Sequence, residues 1–111
     1  MAYDEDLADR IRDAMETEPH LTEKRMFGGL AFLVDGHMAV VILSKQQGLM
    51  VRVDPADADA LMARDHVGPM IMSGKPARGW LRIDPPGLVD DDALGDWTDR
   101  AAAFVLTLPQ K

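Results

Sequence analysis

Residues 24–44 read KRMFGGLAFLVDGHMAVVILS, and this stretch decides the fold. Two apolar runs, 24–34 and 37–44, flank Asp35-Gly36. An Asp-Gly pair tolerates the positive φ angles that a two-residue hairpin turn needs, so the stretch predicts two antiparallel strands joined by a tight turn. Gly28 and Gly29 fall inside the first run. Glycines within a strand mark a bulge, a bend, or a group passing close to the backbone.

Working outward toward the C-terminus, residues 49–53 (LMVRV) alternate. Leu49, Val51 and Val53 share one face, with Met50 and Arg52 on the other. Asp54-Pro55 then carries the signature of a helix start, with Asp54 as N-cap, Pro55 at the first helical position and Asp57 in the first turn. That helix is expected to run to about Arg64. Residues 70–72 and 79–83 predict a second hairpin around SGKPAR. In it Leu81 and Ile83 share a face, and Trp80 and Arg82 share the opposite one. A last helix is expected from Asp90–Asp92 to just before Pro109, with Leu94, Trp97, Ala101, Phe104, Val105 and Leu108 as its apolar stripe.

Toward the N-terminus, Leu7, Ala8, Ile11, Ala14 and Met15 form one helical face, capped by Asp4 and closed by Pro19. The predicted order is α-β(3)-α-β(2)-α. Hairpin connections imply a mainly antiparallel, five-stranded sheet with helices on one side, an α+β fold arranged as a two-layer α/β sandwich. The expected core comprises Leu7, Ile11, Met15, Leu49, Val51, Val53, Leu61, Leu81, Ile83, Leu94, Trp97, Ala101, Val105 and Leu108. No repeat or linker interrupts residues 1–111, which read as one domain.

Composition narrows the function classes. With 111 residues, 47% of them hydrophobic, the chain supports one core. It has no cysteine, which for a small domain favours a reducing compartment. The acidic start MAYDEDLADR is unlike a signal peptide, and no apolar run approaches the ~20 residues of a membrane span. These features predict a cytoplasmic protein. The net charge of −7 is concentrated at both ends of the chain, with the middle nearly neutral. Such an acidic balance lacks the footprint of a nucleic-acid binder, so no direct duplex DNA binding is expected.

No catalytic, cofactor or metal site is assigned. His20, His37 and His66 stand far apart with no ligand spacing. Gly68 and Gly74 are one residue too far apart for a phosphate loop, and Pro76 stands where that loop needs Ser or Thr. Ser44 and Ser73 lie in no nucleophile elbow. An enzyme or small-ligand binder using a pocket near Gly28-Gly29 stays open as an alternative. So does a nucleic-acid-associated regulator using Lys24, Arg25, Lys75 and Arg78 as a local basic patch. One constellation rises above these. Met50, Arg52, Trp80 and Arg82 are placed on the sheet face away from the core, and Trp, Met and Arg are enriched at protein interfaces. The competing reading is that the second helix covers Trp80.

The segments RMFGGLAFLVDGHMAV (25–40), LMVRVDPADADALM (49–62) and KPARGWLRIDPPGL (75–88) resemble the TfoX N-terminal domain family over nearly the whole chain. The resemblance implies a two-layer fold like that of secretion-chaperone and YgaC-like domains. It also implies a role like that of the namesake competence regulators, which act with a transcription activator and carry a further C-terminal domain. The chain is expected to be a stand-alone N-terminal domain. Arg25, Phe27, Gly28, Gly29, Lys75, Arg78 and Trp80 match the family's motif positions. The expected function is that of a small regulatory or adaptor domain binding another protein or a second copy of itself, with no membrane and no cofactor.

Overall fold

The Asp35-Gly36 turn forms as its composition predicts. Both residues adopt positive φ, 52° and 82°, and Val34 pairs with His37 across the turn. The computed structural model describes residues 3–26, 28–44 and 47–109. In chain order the elements are α1 (Glu5–Ala14), β1 (Leu21–Met26), β2 (Gly29–Val34), β3 (His37–Ile42), β4 (Leu49–Arg52), α2 (Ala58–Met62), β5 (Val67–Met72), β6 (Lys75–Ile83) and α3 (Asp91–Val105). Short 3-10 turns, Pro55–Asp57 and Pro85–Leu88, lead into α2 and toward α3.

The fold is α+β, with three helices and one antiparallel sheet in the order β1-β2-β3-β4-β6-β5. The sheet has six strands, one more than the sequence pattern predicts. The reason lies at the glycine pair. Gly28 adopts φ +75° and reverses the chain, so Leu21–Met26 pairs back on β2 as a separate edge strand. Residues 22–25 are exposed, so burial imposes no apolar alternation on them and hydropathy does not reveal the strand. Gly29 then lies against β3 so closely that a Cβ there would collide with the Ile42 carbonyl oxygen. The group passing close to the glycine backbone is the neighbouring strand.

The second hairpin turns at Ser73-Gly74, φ 52° and 79°, and its strands are longer than expected. Only Trp80–Ile83 of β6 pairs with β4, so the end of the β5–β6 hairpin extends beyond the sheet. Helix caps follow the sequence. Asp4 Oδ1 accepts from Leu7 N–H at 3.1 Å, Asp54 Oδ1 from Ala56 N–H at 2.9 Å and Asp90 Oδ1 from Asp92 N–H at 3.2 Å.

All three helices pack on one face of the sheet. α3 crosses β3 and β4, α1 packs on α3, and α2 lies against β5 and β6. Between the layers sits the main core, built from Ile11, Met15, Phe32, Val40, Ile42, Leu49, Val51, Leu61, Leu81, Ile83, Leu94 and Trp97 among others. Of the expected core residues, Leu108 is the one only partly buried. The helix layer is tied down at its margins by ion pairs. Arg12 of α1 makes a bidentate pair with Glu23 of β1, at 2.7 and 2.8 Å. Arg64 stacks 5.3 Å from the Trp97 ring and pairs with Asp96 at 3.1 Å.

A candidate interaction face on the open side of the sheet

The strand registers carry the opposite face. Lys24 pairs with Ala31, Ala31 with Val41, Val41 with Met50, and Met50 with Arg82. Directly opposed residues in an antiparallel sheet share a face, so these five form one row across five strands. Ala31, Val41 and Met50 in its middle are 0%, 1% and 2% exposed and form a second apolar cluster, separate from the main core. A cation is the last side chain at each end, because beyond Arg82 its partner on β5 is Gly68. Four strand spacings separate Lys24 from Arg82, roughly 19 Å.

Bulkier, half-buried side chains border the row: Met26, Leu33, Met38, Leu43, Met70 and Trp80. Ala31 and Val41 are smaller than these neighbours, which cover them, so the row is the buried floor of this face. Four of the eight methionines, Met26, Met38, Met50 and Met70, belong to this face. The cluster contains no residue of a helix. α2 does not cover Trp80, because Leu61 packs into the main core while Trp80 packs into the second cluster.

Charge is segregated with respect to this face. Residues 24–34, 49–53 and 66–83 contain six of the twelve Lys and Arg and none of the nineteen Asp and Glu. The acids lie on the helices, in turns and loops, at strand ends and at Glu23 of β1, which pairs with Phe32 and so lies on the helix-bearing face. Arg82 is half exposed and meets Asp84 at 3.5 Å. Arg52 holds its guanidinium 5.5 Å from the Trp80 ring and 5.8 Å from the Phe104 ring of α3.

The structure brings Met50, Arg52, Trp80 and Arg82 together, as the alternation in residues 49–53 and 79–83 predicts. It separates the other candidates. Arg25 pairs with Leu30 and therefore lies on the helix-bearing face of the edge strand. Gly28 lies in the β1–β2 connection, Gly29 opens β2 opposite Met26, and Phe27 lies outside the described residues. Lys75 and Arg78 are exposed on the overhanging part of β6, four strands away from Lys24 and Arg25 in the sheet order. The four do not form a local basic patch, because the sheet places them at opposite margins. Ala31, Leu33, Met38 and Val41 escaped the sequence reading. The run VVIL hides which residue faces which way, and a bulge at Phe32/Leu33 shifts the register locally.

Elsewhere the polar groups are engaged. A cleft of about 230 Å³ is lined by Asp4, Leu7, Arg10, Ile42, Gly48 and Leu88, among others. Its Arg10 donates to the Leu88 and Val89 carbonyls at 2.7 and 3.2 Å and to Asp91 at 2.9 Å. The hydrogen bond from Arg12 holds the Glu23 carboxyl below its usual range, against the upward push of partial burial. Partial burial pushes the Asp96 carboxyl up, but hydrogen bonds from Arg100 and Arg64 outweigh it and leave the net shift downward. Among the described residues, no three His, Asp or Glu gather to hold a metal ion, and no helix is long and apolar enough to cross a membrane.

Comparison with curated proteins and with solved structures returns no match. The family profile described as TfoX N-terminal domain matches residues 13–105, which span every strand, α2, the whole of α3 and the end of α1. On that match the chain belongs to the TfoX N-terminal domain family.

Proposed function

We propose that this chain is a small regulatory domain that acts in the cytoplasm by contact with another protein, through the open face of its sheet. The observation that supports this most is the second apolar cluster. Ala31, Val41 and Met50 are buried, but the side chains around them are only half covered, and no helix lies over them. A face of this composition on a small domain marks a contact site. Methionine suits it, since a flexible thioether adapts to a partner's shape. Family membership adds the resemblance to regulators, and the absence of cysteine suits a reducing compartment.

Catalysis has less support. The glycine pair that would have bordered a pocket is accounted for by a chain reversal and by close packing on Ile42. Tight duplex DNA binding also has less support, because the bases are dispersed and nineteen carboxylates surround them. Symmetric pairing of two copies through this face would set Lys24 and Arg82 against the same cations of the second copy, and like charges facing each other are costly.

Site-directed photocrosslinking in cells tests the proposal. A crosslinker at Met38 on the open face is expected to capture a protein. The same group at Asp99 on α3 is expected not to capture that protein. If the two positions give the same adducts, or Met38 gives none, the open face is not a protein-contact surface.

A further inference from the structure

The open face has a charge pattern as well as an apolar floor, and the pattern constrains what can cover it. We infer that the partner presents an acidic segment in which a short apolar stretch is flanked on both sides by carboxylates, seated along the row from Lys24 to Arg82. This rests on the reading that the open face is a protein-contact surface. The apolar residues would rest on the half-buried Leu33, Met38, Leu43 and Trp80 that pack over Ala31, Val41 and Met50, and the carboxylates would meet Lys24 at one end and Arg82 at the other.

Three observations carry the inference. First, the row is ordered by register alone: Lys24, Ala31, Val41, Met50, Arg82. Its floor is apolar throughout and its ends are both cationic. Second, no strand residue on this face is acidic, and Arg82 has only an exposed Asp84 at 3.5 Å to pair with. The strand residues of this face on a second copy would therefore offer these cations no carboxylate in a symmetric arrangement. Third, the half-exposed Met26, Leu33, Met38 and Trp80 over the buried floor make the occupant's centre apolar. A phosphate backbone would leave these half-exposed apolar side chains uncovered, so the pattern favours a peptide over a nucleic acid. Rim charges of this kind chiefly set specificity and the rate of encounter, while the apolar centre supplies most of the affinity.

The test is selection of random 16-residue peptides displayed on phage against the full chain, repeated against the double variant Lys24→Glu with Arg82→Glu. Both side chains are exposed, so the variant should fold, and circular dichroism checks this. The expected result is enrichment of net-acidic peptides with an apolar centre. Their affinity, measured by fluorescence anisotropy, should fall roughly tenfold or more in the double variant. The double variant should in turn select basic flanks. Neutral or basic peptides that bind the parent and lose affinity on Trp80→Ala would overturn the acidic pattern while leaving the open face as a contact surface. Peptides untouched by Trp80→Ala and by the charge reversal, or no enrichment at all, would overturn the inference; the crosslinking outcome then decides the broader reading separately. Binding of a mixed-sequence single-stranded DNA 20-mer that the double reversal abolishes would overturn it in favour of phosphate. A dimer seen in sedimentation equilibrium and dissolved by the double reversal would overturn it in favour of self-association.

Discussion

Lys24 on the edge strand β1 and Arg82 on β6 are 58 positions apart in sequence yet share one face and one cross-strand row, with Ala31, Val41 and Met50 between them. One chain reversal and one non-consecutive strand pairing hold this row in place. The Gly28 turn carries Lys24 onto β2, and β4 pairs with β6 rather than with β5, the next strand in the chain. The open face is thus a product of topology, assembled from residues that lie far apart in the sequence.

The glycines that build this arrangement differ in how much they tolerate. Gly29→Ala would force a Cβ into the Ile42 carbonyl, and backbone cannot swing aside as a side chain can. Gly74→Ala meets no atom within 4 Å, so its cost is the φ of +79° alone. Thermal denaturation should show Gly74→Ala losing about 1–2 kcal/mol. Gly29→Ala should lose more than that or fail to fold. Equal losses would show that β2 and β3 separate easily.

The two faces should respond differently to truncation. Leu81→Ala and Ile11→Ala each empty a fully buried site in the main core and should cost about 2–5 kcal/mol by urea unfolding. Against a domain stability of about 5–15 kcal/mol, either is severe. Trp80→Ala removes a half-buried ring on the open face and should cost less than either, about 1–2 kcal/mol, because part of that surface is already in water. A Trp80→Ala loss equal to that of Leu81→Ala would mean that Trp80 is covered after all.

Acid should weaken the contacts that Glu23 and Asp96 make within the helix side of the molecule. Both carboxyls have folded values below their ordinary ones, 4.5 and 3.8 respectively. A depressed folded value means that the stabilisation is fully present above the ordinary value and is lost as pH falls through the folded one. Stability should therefore decline below about pH 4.5, with Glu23 going first. The pairs are partly exposed, so each contributes no more than about 1 kcal/mol. Arg12→Gln and Arg64→Gln should flatten the decline. Unchanged acid curves in both variants would assign the loss to other carboxylates.

His37, at the start of β3, is buried, and its Nε2 lies 2.6 Å from the Pro109 carbonyl oxygen. With the Nε2 proton in place, the ring donates to that carbonyl and fastens the residues after α3 to the sheet. A double-mutant cycle of His37→Ala with truncation after Leu108 should give a coupling of about 0.5–1.5 kcal/mol. Additive losses would show that the contact holds nothing.

The sequence by itself determined the α+β class, both terminal helices, the Asp35-Gly36 turn and the inward faces of β4 and β6. Each depends on a local signal. Helical spacing marks Leu7, Ile11 and Met15, a turn pair marks residues 35–36, and alternation separates Leu81 and Ile83 from Trp80 and Arg82. Only the tertiary structure decided the rest. β1 carries no burial pattern because an exposed edge strand imposes none, so its partner and its register had to come from the fold. The side of Met38 depended on a bulge, where β3 carries Ala39 as an extra residue opposite Phe32 and Leu33, and local hydropathy does not encode it. Lys24 and Arg25 are sequence neighbours that pleating sends to opposite faces, and Lys24 meets its counterpart Arg82 only across the width of the sheet. Strand order is set by which long-range pairings bury the most surface at once. No local signal in the chain could have placed those two cations at the ends of one apolar row.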